Sequence, residues 1–349
     1  MNVCMQISGN SFKAVETKKT RKGENKPVRS FGGTVGALAL SGIVKVAATP
    51  VQKLGMDKLV KYGNFDAEEG KTIHNAIKEM HVQTGLKEKG VRIKFLNEKL
   101  KERKDFLFNA KTKKISDTFM KDFVDLLTVN TVKSGKNAFF VSKDMKLPKI
   151  TYSEYLELVK TQGKEVAEQK LKEKVTYIKG NSVLLSKNGL HSAGFHELGH
   201  AMNANLSKFG KILQKCSPVS TLVPLLLGVY GACTRKSKSK NEDGKLNGAQ
   251  RTHNFVRNNA GKLAFLASVP MLLEEAMATV KGQKFANKLL KPELAKKVLK
   301  ANIWAYTTYL TLGIFGALAA ATAVKVKDGA IAKKEAKKAV IAEANKNEA

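Results

Sequence analysis

His196-Glu197-Leu198-Gly199-His200 sets two imidazoles four residues apart, with a carboxylate beside the first. On an α-helix, positions i and i+4 share a face, so both rings can reach one metal ion. Glu197 is rotated from His196 by about 100°, so it flanks such an ion without ligating it and can take a proton from a water there. The chemistry that this spacing points to is metal-assisted hydrolysis. The competing reading is a helix whose histidines only cap or pack. The chain has six histidines, at 74, 81, 191, 196, 200 and 253. Three cysteines (Cys4, Cys216, Cys233) exclude a disulfide scaffold and a Cys-rich zinc module. The motif thus supplies two nitrogens, and a catalytic site needs a third protein ligand with one position left open.

The elements around the motif decide whether it can work. Leu184-Leu185 ends a strand, Gly189 is a turn residue, and Ser192 is an expected N-cap for a helix from about Ala193. Ala201, Met202 and Leu206 supply that helix with a packing face. Strand followed by active helix is the order zinc peptidases use, with an edge strand holding extended substrate. A metzincin would need Gly at 203 and His at 206, where this chain has Asn203 and Leu206, so that subclass is excluded. Downstream carboxylates occur at Glu242-Asp243, in a Lys/Ser/Asn/Gly loop, and at Glu274-Glu275, which borders an apolar run and continues into Ala276-Met277-Ala278-Thr279. The second pair is the better source of a ligand. Its competing reading is a helix emerging from a membrane with both carboxylates solvated. His191 and His253 are expected to be solvated surface histidines.

HELGHA followed far downstream by E-x-x-A resembles the gluzincin metallopeptidases, and most closely their integral-membrane branch of CAAX prenyl proteases and heat-shock membrane proteases. Asn137-Ala138-Phe139 is similar to the N-A-F strand that precedes the active helix in that family. The resemblance spans about residues 90–280. It implies a zincin-like domain, a Zn2+ cofactor, His196 and His200 as ligands, Glu275 as the third ligand with Ala278 at the +3 position, and Glu197 as the catalytic base. Glu274 would then face outward. The family carries Asp four residues after the ligand Glu, where this chain has Thr279. Thr279 shares a helix face with Glu275 and is expected to hydrogen-bond its carboxylate.

The rest of the chain reads as a basic, mixed α+β and predominantly helical protein with C-terminal membrane helices. Its 62 Lys+Arg against 30 Asp+Glu give a net charge of +32. Lysine outnumbers arginine and is spread along the whole chain, which disfavours specific nucleic-acid binding and suits a solvated surface or an anionic bilayer. Residues 1–31 read as a flexible basic arm. Residues 32–49 are a small apolar segment, readable either as a membrane segment or as a buried helix. Residues 50–216 hold the zincin-like region. Within it are a helix over 66–86 carrying Ile73, Ile77 and Met80, strands at 91–95, 138–141 and 182–185, charged helical material over 98–136 and a helical stretch over 152–173. Residues 217–273 form an expected membrane hairpin around a basic loop, 235–262, with eight basic and two acidic residues. Residues 274–300 form the helix with the third ligand, 301–324 a transmembrane helix led by Trp304 and Tyr306, and 325–349 a charged tail.

Together these readings describe a zinc-dependent endopeptidase integral to a membrane, expected at the plasma membrane, with protein or peptide substrates. Loop charge and family resemblance disagree about which side the zinc face occupies. The rival readings are an inactive membrane scaffold that retains the motif, and a basic protein that binds anionic lipid or nucleic acid.

Overall fold

A computed structural model describes residues 50–96 (save 52 and 56), 132, 138–148, 152–238 (save 174 and 188) and 245–347. The expected basic arm, the 32–49 segment, nearly all of 98–136 and Glu242-Asp243 lie outside these residues. The chain is predominantly helical and divides into two units. One comprises Gly55–Gln214 and Glu274–Thr307; the other includes Lys215–Leu273 and Thr308–Ala349.

The first unit begins, after a helical stretch at 57–63, with helix α1, Ala67–Gln83. Asp66 caps it by accepting the Glu69 amide at 2.8 Å. Ile73, Ala76, Ile77 and Met80 repeat at three and four residues and are all buried, which is why this segment folds as an amphipathic helix. Strand β1 (Arg92–Leu96), β2 (Phe139–Val141) and β5 (Ser182–Ser186) form a three-stranded sheet in the order β1-β5-β2. β5 runs parallel to β1 and antiparallel to β2, and every one of its residues is buried. The strand leading into the motif helix is therefore central; β1 and β2 flank it. The reason is the pairing with β1, a partner about 90 residues away that no local pattern announces. Strands β3 (Met145–Pro148) and β4 (Val175–Ile178) form a separate antiparallel pair, and Met145 and Ile178 pack with Val141 and Leu184. The expected helical stretch over 152–173 is two helices, α2 (Tyr152–Gln162) and α3 (Lys164–Glu173), broken at Gly163, whose φ of +85° a residue with a Cβ rarely adopts.

Helix α4, Ala193–Leu206, carries the motif. Ser192 precedes it but has helical dihedrals and makes no cap bond, so it does not act as the expected N-cap. One core joins α1, the sheet, α4 and two later segments: Phe195 and Leu198 of α4 meet Ile77, Leu185, Ala286, Leu294 and Val298. The later segments belong to α7, Ala260–Leu289, and α8, Pro292–Asn347. Glu274-Glu275 thus lies mid-helix, within one uninterrupted α7.

Where α4 meets α7, their backbones come into direct contact. A Cβ at Gly199 would overlap the Ala278 carbonyl, and a Cβ at Gly282 would overlap the Phe195 carbonyl. No ordinary side chain fits between two backbones at that separation.

In the second unit, α5 (Lys208–Cys233, from Lys215 onward), α6 (Gly248–Asn258), the start of α7 and α8 from Thr308 pack through small residues. Ala260 and Ala264 meet Ala320 and Val324, with Leu227 against them. Gly231 faces Val324, and Gly261 faces Ala321. Large apolar side chains such as Leu222, Leu226, Leu266, Leu312 and Leu318 point outward. Small residues inside and large apolar residues outside is the arrangement of helices packed in lipid. Among the described residues, three helices, within Lys208–Cys233, Ala260–Leu289 and Pro292–Asn345, are long and apolar enough to cross a membrane. α8 is helical through the expected charged tail as far as Asn347. Arg257 is fully buried and forms two 2.8 Å bonds to Asp328, and it also donates to the carbonyl oxygen of Thr234.

Gly199→Ala should therefore separate α4 from α7 and cost about 3 kcal/mol, at the upper end of ordinary overpacking. A thermal-unfolding scan of the purified variant checks this; a midpoint equal to the parent's would show that the contact yields.

Candidate metal centre

α4 presents His196 and His200 on the face that meets α7, and α7 presents Glu275 to them. His196 Nε2 lies 2.9 Å from His200 Nε2 and 3.1 Å from Glu275 Oε2, and His200 Nε2 lies 3.4 Å from the same oxygen. Tetrahedral ligands at about 2.05 Å from zinc sit about 3.3 Å apart, so this triangle of donors has the size of a three-ligand site. The rings meet edge to face, with centroids 4.5 Å apart. His196 and Glu275 are buried, and His200 nearly so. Two overlapping clusters here, His196-Glu197-His200 and His200-Glu274-Glu275, have ligand atoms close enough together to hold a metal ion.

Glu197, on the same helix, is 8% exposed. Burial pushes its carboxyl above the usual range, and Glu275 adds to the rise. His200, His196 and the backbone N–H of Phe140 in β2 oppose it. Burial disfavours charge on His200 too, but Glu275 and Glu274 outweigh it and hold that imidazole well above its ordinary value.

Glu274 does not face outward. It is 4% exposed, and its carboxylate sits 2.8 Å from His200 Nδ1. It also accepts from Asn203 Nδ2 at 3.0 Å and from Gln214 Nε2 at 3.0 Å. Gln214 donates to the His200 carbonyl oxygen as well. Lys281 Nζ donates to Asn203 Oδ1 at 2.6 Å, which fixes the Asn203 amide with its NH2 toward Glu274. Thr279 does not bind the Glu275 carboxylate as expected; its hydroxyl meets His196 Nδ1 at 3.1 Å. Each imidazole thus has one nitrogen toward the ligand triangle and the other on α7. Sequence reading missed Asn203, Gln214 and Lys281. Asn203, between Met202 and Ala204, offered a signal as a polar residue among apolar neighbours; Gln214 and Lys281 stand in lysine-containing segments that give none.

The other histidines are not free surface groups. Among the described residues, His253 meets the Tyr230 hydroxyl and the Arg235 carbonyl. His191 is buried, and a Cβ at Gly70 would crowd its ring. It packs at 5.0 Å between ring centroids against His74 of α1, which also stacks on Phe95.

Comparison with protein-family models, with curated proteins and with solved structures finds no match to this chain.

Burial, then the neighbouring His191 and Lys78, lower His74 from its ordinary value to about 4. Its folded pKa lies below its unfolded one, so the unfolded state binds more protons between about pH 6.5 and 4, and stability falls across that window as the solution is acidified. The unfolding midpoint of the parent, compared at pH 7 and pH 5, should drop more than that of His74→Gln. Equal drops would show that His74 keeps its proton affinity on folding.

Proposed function

We propose that this chain is a membrane-embedded, zinc-dependent endopeptidase of the gluzincin kind. The observation that supports this best is the convergence of His196 Nε2, His200 Nε2 and Glu275 Oε2 on one point, with the Glu197 carboxylate beside it. Two neutral nitrogens and one carboxylate suit zinc, and three protein ligands leave a fourth position for reactants.

A zinc ion there would supply Lewis acidity to a scissile carbonyl and to the attacking water. Glu197 takes the proton from that water and passes it to the departing amine. β2 flanks the strand that leads into α4, where an extended peptide can approach. His196 and His200 keep their Nε2 atoms toward the centre because α7 occupies both Nδ1 atoms. The near-complete burial of these groups excludes bulk water and strengthens each electrostatic contact. The second unit supplies the membrane helices, so the substrates are proteins or peptides that reach the bilayer.

Purified in detergent, the protein should carry about one zinc per chain. His196→Ala should lose it and His253→Ala should retain it, as read by metal analysis. A parent chain that stays metal-free when zinc is supplied would end the reading. Glu197→Gln should keep its zinc while cleavage of a labelled unfolded protein falls by about three orders of magnitude. Zinc binding with no cleavage in the parent would instead identify an inactive scaffold.

A further inference from the structure

We infer that Glu274 is the positioning residue of the metal centre, and that the chain grades its two histidines by giving His200 an anionic partner and His196 a neutral one. The inference rests on the metal-site reading above, and it concerns affinity and ligand strength rather than proteolysis.

The geometry assigns Glu274 this role and denies it that of a ligand. Its carboxylate faces three donors: His200 Nδ1, Asn203 Nδ2 and Gln214 Nε2. Two of them are amide NH2 groups, which cannot share a cation with it. Lys281 locks the Asn203 amide in that orientation. Glu274 is therefore an anion held by donors, and it compels His200 to carry its proton on Nδ1 and to present the Nε2 lone pair. A buried carboxylate on the far side of an imidazole makes that imidazole a more basic ligand. At the corresponding nitrogen of His196 the described partner is the neutral Thr279 hydroxyl, 3.1 Å away. Glu274 and Thr279 stand five residues apart on one helix, so a single element holds both rings and sets the difference between them.

This ordering explains why adjacent carboxylates are needed mid-helix. Glu275 closes the ligand triangle, and Glu274, about 100° round the helix, reaches past it to the outer nitrogen of His200. Asn203 also receives an anchor from α7 through Lys281, so α4 and α7 are tied twice around one ring.

The test uses the full chain in detergent, loaded with cobalt(II) as a spectroscopic substitute for zinc, with affinity read by chelator competition. Glu274→Gln keeps the size and one acceptor but removes the charge, and Glu274→Ala removes both. Affinity should fall about tenfold in the first and approach a hundredfold loss in the second, with a shifted cobalt ligand-field band in both. Restoring a carboxylate on the other ring should compensate: Thr279→Asp in the Glu274→Gln background should recover most of the lost affinity. Parent-like affinity and spectrum in both Glu274 variants would overturn the inference, as would a double variant no better than Glu274→Gln alone. If the parent itself binds no cobalt or zinc, the metal-site reading fails first, and that outcome is distinct from a metal-binding parent indifferent to Glu274.

Discussion

The closest approach of two backbones governs this protein. Gly199 of α4 abuts the Ala278 carbonyl of α7, and Gly282 of α7 abuts the Phe195 carbonyl of α4. Helices whose contact is made by Leu or Ile stand about 8–10 Å apart. A short glutamate on one helix then cannot close a triangle with two imidazoles on the other. Replacing side chains by hydrogens on both helices removes that spacer. Gly199 and Gly282 are thus steric requirements of this contact.

The same contact creates an electrostatic problem and solves it locally. Glu197, Glu274 and Glu275 are all buried, and buried carboxylates are costly unless paired and hydrogen-bonded. Two of them have donors close by: the two imidazoles for Glu275, and His200, Asn203 and Gln214 for Glu274. Metal ligands bind in their deprotonated forms, so uptake of a divalent ion at such a site is pH-dependent.

Much of this was legible in advance, for reasons that differ by element. The α1 helix showed in its Ile73–Ile77–Met80 repeat, and the membrane candidates in their uncharged runs, because periodicity and length are local properties. His196, Glu197 and His200 were legible because helical spacing alone puts them together. Glu274 and Glu275 were not separable by type. Only the distant Asn203 and Gln214 decide which carboxylate receives amide donors. The β3–β4 pair was missed because MKLP and VTYI carry no usable alternation and stand far apart in the chain. The burial of His191 was missed for a similar reason: the space for its ring is left by Gly70, more than a hundred residues earlier. The length of α8 beyond Val324 was readable after all, since Ala and Lys are strong helix formers and Pro is absent there.

The Arg257–Asp328 pair has a consequence for how the chain is made. Arg257 is wholly enclosed, and its carboxylate partner is synthesised 71 residues later, on the last helix. Until α8 emerges, the guanidinium has no anion, and burying it alone would be strongly unfavourable. Closure of the helical unit around Arg257 thus depends on the last helix being in place to supply Asp328.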